Sequence, residues 1–257
     1  MGPVDISQSL PASRASKASH VSRGLLSQVS IVIPVGPEDV AWQSLVSDLA
    51  DVDMDAELLL ISARREPSDF DQLHAAGGAF RGIRWIATTA GRAHQMNTGA
   101  QLSTRPFFWF LHADSRVSID AFEALERSLA THPHALHFFD LVFQDDGPSL
   151  VRLNALGVRV RSRYLGLPFG DQGLCTSRDT FQRLGGFDEQ VEYGEDHLFV
   201  WAAHRHRVPL HRVGAFITTS ARKYRAKGWL ATTVLHGWRT WRQAIPEFCR
   251  LLRNRIK

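Results

Sequence analysis

The sequence predicts an α/β fold with a mostly parallel central sheet flanked by helices. Three observations carry that expectation. Apolar or β-branched runs of strand length alternate with stretches whose apolar residues recur at helical spacing. Gly, Pro or short polar clusters stop most of these runs. One run, Phe108-Trp109-Phe110-Leu111, is apolar at every position, as a strand buried on both faces must be. Strands alternating with helices imply βαβ units with right-handed crossovers.

Residues 1–28 hold many serines, two prolines and only Asp5 as an acid, with no sustained periodicity; a disordered leader is expected there. No signal-peptide h-region is visible. Order is expected from Gln28, with a first strand through Val35 stopped by Gly36-Pro37. Residues 38–50 carry Trp42, Leu45, Val46 and Leu49 at helical steps. A second strand, Ala56–Ile61, precedes a helical stretch with His74-Ala75-Ala76 near its end, stopped by Gly77-Gly78. A third strand spans Ile83–Ala87, Ala93–Leu102 reads as a helix, and the next strand ends at Asp114. Then come a helix at Ile119–Ala130, a strand at Ala135–Phe143 and a turn at Asp145-Asp146-Gly147-Pro148. A basic helical segment runs to about Tyr164, and helices follow near Arg178–Leu184 and Leu198–Arg205.

The chain of 257 residues, 44% hydrophobic and 22% charged, can bury one large core. Its two cysteines, Cys175 and Cys249, cannot build a disulfide framework, and no zinc-ligand spacing occurs. A reducing, cytoplasmic setting fits. No apolar stretch reaches the roughly 20 residues that span a bilayer. The net charge of +4 is uneven: residues 221–257 carry ten Lys/Arg against Glu247 alone, whereas the rest of the chain has a net charge of −5. Such a tail suits phosphate groups, nucleic acid or an anionic membrane, or is simply a solvated helix face.

Acidic residues recur at the ends of the expected elements: Asp114, Asp171 and the pair Glu195-Asp196. Each alone has an ordinary explanation as a helix cap, a turn residue or a first-turn acid. Together they suit sugar transfer from a nucleotide donor. A strand-end Asp would hold a divalent cation against the diphosphate, and a second carboxylate would take the proton of the attacking hydroxyl.

On these motifs the chain resembles a family 2 glycosyltransferase of GT-A fold, over roughly residues 29–225. The motifs are Gly91-Arg92-Ala93-His94-Gln95-Met96-Asn97-Thr98-Gly99-Ala100, Phe110-Leu111-His112-Ala113-Asp114-Ser115, Leu167-Pro168-Phe169-Gly170-Asp171-Gln172-Gly173, Gly185-Gly186-Phe187, Glu195-Asp196 and Thr219-Ser220-Ala221-Arg222-Lys223. The resemblance implies a Rossmann-like nucleotide-sugar half (29–115), an acceptor half (116–225) and a C-terminal helical tail (226–257). It implies an inverting transfer from a UDP- or GDP-sugar with Mn²⁺ or Mg²⁺. Asp114 would be the metal ligand and Asp196 the base, with Glu195 second. His112 stands where the family carries a first acid, and imidazole suits Mn²⁺ better than Mg²⁺. Pro34 and Glu38 fall where the family meets the nucleobase, and Arg92 and Asn97 where it closes over the nucleotide. Asp171 and Gln172 fall on the acceptor or sugar side, and Arg222 and Lys223 near the diphosphate. Ser62 stands in place of the acid that recognises uracil. That departure implies either another nucleotide or weaker donor binding.

In the tail, Trp229, Val234, Trp238, Trp241, Ile245, Phe248 and Leu252 form a helical apolar stripe, with Pro246 expected to break or kink it. The stripe suits either packing on the catalytic domain or the membrane interface, the latter with a lipid-linked acceptor. Two other function classes remain beside the transferase: a nucleotidyltransferase, against which no Gly-rich loop with a lysine follows the first strand, and a non-catalytic nucleotide-sugar-binding module. A nucleic-acid role ranks lowest, because the tail's aromatics follow one helix face rather than a stacking platform.

Overall fold

Eight strands join in a single sheet whose order along the hydrogen-bonding direction differs from their order in the chain. The computed structural model describes residues 24–50, 55–68, 70 and 83–256. Its strands are β1 (Val29–Val35), β2 (Glu57–Ser62), β3 (Ile83–Ala87), β4 (Phe107–Phe110), β5 (Ser115–Val117), β6 (Leu136–Phe143), β7 (Cys175–Ser177) and β8 (Leu210–Thr219). The sheet order is β3-β2-β1-β4-β7-β6-β8-β5. The pairs from β3 to β4 are all parallel. Beyond β4 the sheet is mixed: β7 pairs antiparallel with β4 and β6, β6 runs parallel to β8, and β5 closes antiparallel on β8. The parallel expectation therefore holds fully for one half and partly for the other.

The helices are α1 (Trp42–Ala50), α2 (Arg92–Leu102), α3 (Ile119–Thr131), α4 (Val151–Tyr164), α5 (Arg178–Leu184), α6 (Glu195–Arg205), α7 (Arg222–Lys227) and α8 (Trp229–Ile256). Alternation along the strands sorts the core into two layers. Ile31, Ile33, Leu58, Leu60 and Trp109 face one side, where α1 and α3 contribute Trp42, Leu45 and Phe122. Val32, Leu59, Ile61, Phe108 and Phe110 face the other, where α2, α5 and α6 contribute Met96, Phe181 and Phe199. Trp109 stacks on Phe139 with centroids 5.3 Å apart, joining β4 to β6 through the first layer.

Several boundaries differ from the sequence expectation, each for a local reason. A 3₁₀ turn at Leu25–Gln28 buries Leu26 in the first core layer, so part of the expected leader belongs to the domain. Residues 1–23 and the helix expected around His74 lie outside the described residues. The first helix starts at Trp42 rather than 38, because Asp39 turns the chain by accepting the Ala41 amide at 2.9 Å. β4 ends at Phe110, so Asp114 sits in the turn beyond the strand. β5 and β7 are three residues each, too short to carry a period. β8 escaped notice because its alternation is broken by a register shift opposite Phe138/Asp140 and by Gly214 at φ +83°. α8 runs through Pro246, so of the expected break or kink the break does not occur.

Candidate active site

The parallel strands turn their carboxyl ends to one edge, and the chain order reverses there: β1 leads to β2 and β3 on one side, then the chain returns to β4 on the other. A topological switch point of this kind is where open α/β sheets bind ligands. α2 is bolted beside it. Gly99 lets the helix lie against β1, since a Cβ there would come 2.4 Å from Val32 Cγ1. Gln95 Nε2 donates to the carbonyls of Val35 at 2.9 Å and Ile61 at 2.8 Å, satisfying the frayed ends of β1 and β2. Asn97 exchanges two hydrogen bonds with the Phe187 backbone and donates to Glu189 Oε1 at 2.6 Å.

The first residue of α2 is Arg92, and it faces the first turn of α6. Arg92 Nε lies 2.6 Å from Glu195 Oε1, and Nη2 lies 3.4 Å from Asp196 Oδ2. Carboxylates at a helix N-terminus also gain from the helix dipole. Asp196 Oδ2 accepts the Gly170 amide at 2.6 Å, and Oδ1 accepts the His197 amide at 2.9 Å. That approach requires Gly170, because a Cβ would stand 2.8 Å from Asp196 Oδ2. Burial works against the Asp196 charge, but the Arg92 guanidinium and the Gly170 and His197 amides outweigh it and hold its pKa below the usual carboxylate range.

Asp171, in the 3₁₀ turn Gly170–Gln172, behaves oppositely. Burial, aided by the Asp196 and Asp114 charges, pushes its pKa up to about 6 against the pull of Arg161 and Arg92. Its Oδ1 is buried without a hydrogen-bond partner, as is Nε2 of His112. Burial and the neighbouring cations Arg92 and Lys223 keep the His112 imidazole well below its ordinary pKa, so it is neutral at pH 7.

These groups line a cavity of about 340 Å³. Of the residues expected from sequence, Arg92, His112, Asp114, Asp171, Glu195, Asp196 and Lys223 meet there. The others stand elsewhere. Gln172 is buried and spent internally: Oε1 accepts from Ser162 Oγ at 2.8 Å and the Phe169 amide at 3.1 Å, and Nε2 donates to the Phe139 carbonyl at 2.8 Å. Asn97 is spent on the Phe187–Glu189 loop as described above. Ser62 is buried at the end of β2, where Oγ accepts the Arg64 amide at 3.2 Å. Pro34 is buried in β1 opposite Ile61, Glu38 is exposed beyond that strand, and exposed Arg222 donates from Nε to Ser220 Oγ at 2.8 Å.

Sequence reasoning missed much of the remaining wall. Tyr224 follows Lys223 on α7, whose start is fixed by Asp146 accepting the Ser220 hydroxyl at 2.5 Å and the Ala221 amide at 2.7 Å. His236, Arg239, Thr240 and Gln243 of α8 close another side. Gln243 donates to the Tyr193 carbonyl at 2.7 Å and pairs with His197 Nδ1 at 3.2 Å, while Arg239 lies over the Tyr193 ring at 4.5 Å. The signal was present in the three- and four-residue recurrence of polar residues from His236 to Glu247, on the face opposite Trp238 and Trp241.

The eight-strand mixed sheet flanked by helices is similar to the GT-A fold. Solved structures of similar fold include S. aureus TarS in complex with UDP-GlcNAc, at TM-score 0.57 and 13% identity, covering 75% of this chain and 58% of that one. A second is GalNAc-T7 with UDP, GalNAc and Mn²⁺, at TM-score 0.56 and 13% identity, covering 75% of this chain and 44% of that one. The chain thus spans less than two thirds of either protein. No protein-family model and no curated protein sequence matches it.

Proposed function

We propose that this protein is a family 2, inverting glycosyltransferase that moves a sugar from a UDP- or GDP-sugar to a hydroxyl acceptor. One observation carries the reading: Asp114, Asp171 and the Glu195-Asp196 pair share a single cavity with Arg92 and Lys223, at the carboxyl edge of a GT-A sheet. In this reading Asp196, held ionised, accepts the proton as the acceptor oxygen attacks the anomeric carbon. The bond from that carbon to the donor's diphosphate oxygen breaks on the opposite face. Arg92 and Lys223 offset the charge left on the diphosphate.

The cavity suits a divalent cation in part. Among the described residues no three metal-ligating side chains converge, but Asp114 shares the cavity with the unpartnered His112 Nε2. One carboxylate and one neutral imidazole would hold a cation jointly with donor oxygens, a set that favours Mn²⁺ over Mg²⁺. Such a cation would neutralise the departing diphosphate.

The test is a thermal-shift panel of nucleotides and nucleotide-sugars with and without Mn²⁺, followed by donor hydrolysis with the best binder. A nucleotide-sugar that raises the melting temperature and is hydrolysed in a Mn²⁺-dependent, chelator-sensitive way supports the reading. Binding without turnover makes the protein a nucleotide-sugar-binding module instead. Asp114→Ala is expected to abolish both the Mn²⁺ response and turnover.

A further inference from the structure

α8 is amphipathic in the reverse of the usual sense. Its polar side packs inward: Gln243 and Arg239 hold the cavity rim, and buried Glu247 pairs with Arg205 and Arg250. Its apolar stripe points to solvent, with Trp238 55% exposed and Trp241 64% exposed, flanked by exposed Val234, Ile245, Phe248 and Leu252. At 100° per residue these positions share one narrow arc of the helix. The neighbouring α4 repeats the pattern with exposed Leu153, Leu156, Val160 and Tyr164. The two helices are tied together by Asn154, which donates to Thr233 Oγ1 at 3.0 Å and accepts from Trp229 Nε1 at 2.7 Å.

The charge around both stripes has one sign. Arg152 and Arg159 of α4 and Arg242 and Arg253 of α8 are exposed, α4 carries no acid, and the one acid of α8, Glu247, is buried and paired. Arg161, Arg163, Arg239 and Arg250 are engaged within the protein by Phe169, Asp140, Tyr193 and Glu247. A second copy of the chain would bring arginines against arginines. An anionic bilayer would meet both features at once, taking the indole and aliphatic groups among its headgroups and the guanidinium groups against its phosphates.

We infer that α4 and α8 together dock this protein on an anionic lipid surface. Because the inward side of α8 also lines the cavity, docking sets the cavity wall that α8 forms about one helix diameter, ~10 Å, from the headgroups. On the transferase reading above, that position favours an acceptor hydroxyl borne by a lipid of the same leaflet.

Flotation of the full-length protein with vesicles of equimolar phosphatidylglycerol and phosphatidylcholine tests the docking without any donor, so it stands or falls independently of the transferase reading. Co-flotation is expected with these vesicles, much less with phosphatidylcholine alone, and less again at high salt. Trp238→Ala with Trp241→Ala should weaken binding by about tenfold or more, and Leu153→Ala with Leu156→Ala should weaken it measurably. Both pairs are expected to keep the parent's nucleotide thermal shift, which shows that the fold and cavity survive. Absent co-flotation, or binding unchanged in either pair, overturns the inference. So does a dimer in solution that the tryptophan pair dissolves while vesicles are ignored, which would assign the face to a second copy.

Discussion

Polar side chains on the α2 shoulder and on the cavity floor are handled in opposite ways. On the shoulder nearly every donor and acceptor is spent: Gln95 bridges two strand ends, Asn97 makes three bonds, and His94 joins Thr88 to Glu189. On the floor Asp171 Oδ1 and His112 Nε2 are buried with no partner, and Asp171 is destabilised as an anion. Each unsatisfied buried group costs about 1–3 kcal/mol. The contrast separates the motif residues that build the site from those that await a ligand. Saturated groups hold geometry, and open ones are available for chemistry.

Asp196 sits between the two classes and gives the largest expected effect. It accepts two backbone amides and pairs with Arg92, yet lines the cavity. Asp196→Asn keeps an oxygen for the Gly170 amide but removes the base, so turnover should fall about 10²–10⁴-fold while the nucleotide-dependent thermal shift persists. Turnover near the parent's would make Asp196 a purely structural residue and move the base to Asp171, whose Asn variant would then show the larger loss.

Gln172 tests the saturated class. Gln172→Leu leaves the Phe139 carbonyl, the Phe169 amide and the Ser162 hydroxyl without their partner in the protein interior. Stability should drop by about 2–4 kcal/mol, read as a lower denaturant midpoint at unchanged slope. Donor affinity per folded molecule should change little. A large rise in KM at unaltered stability would put Gln172 among the ligand contacts after all.

The same distinction explains how far the sequence could be read. The parallel half was legible because β1, β2 and β4 are buried on both faces and so are apolar except at Ser30, Glu57 and Ser62. Asp114, Asp171 and Glu195-Asp196 were legible as acids at element ends, and all four line the cavity. Asn97 and Gln172 looked like contacts because a motif records which residue stands at a position, not which way its hydrogen bonds are spent. The α8 wall was hidden for a related reason. An amphipathic pattern separates two faces but does not say which one the domain takes, and here it takes the polar one.

The smallest effect belongs to Asp171 and has an unusual sign. Its carboxyl titrates near 3.8 when unperturbed and at about 6 in the folded protein. Between those values the native state binds more protons than the unfolded chain, so native stability falls as pH rises through that window. The penalty is complete above about pH 6 and absent below about pH 4. Asp171→Asn removes the titrating group, so the variant should be more stable than the parent at pH 7 by about 1–2 kcal/mol, allowing for partial exposure. The two should converge on acidification. Thermal melts of both proteins from pH 4 to pH 7 measure this directly. Parallel curves across that range would mean that Asp171 carries no ionisation penalty, and the floor would then resemble the shoulder. A stabilised variant with reduced sugar transfer would instead show a carboxylate that is costly to the fold and kept for the ligand, since folding alone would favour the amide.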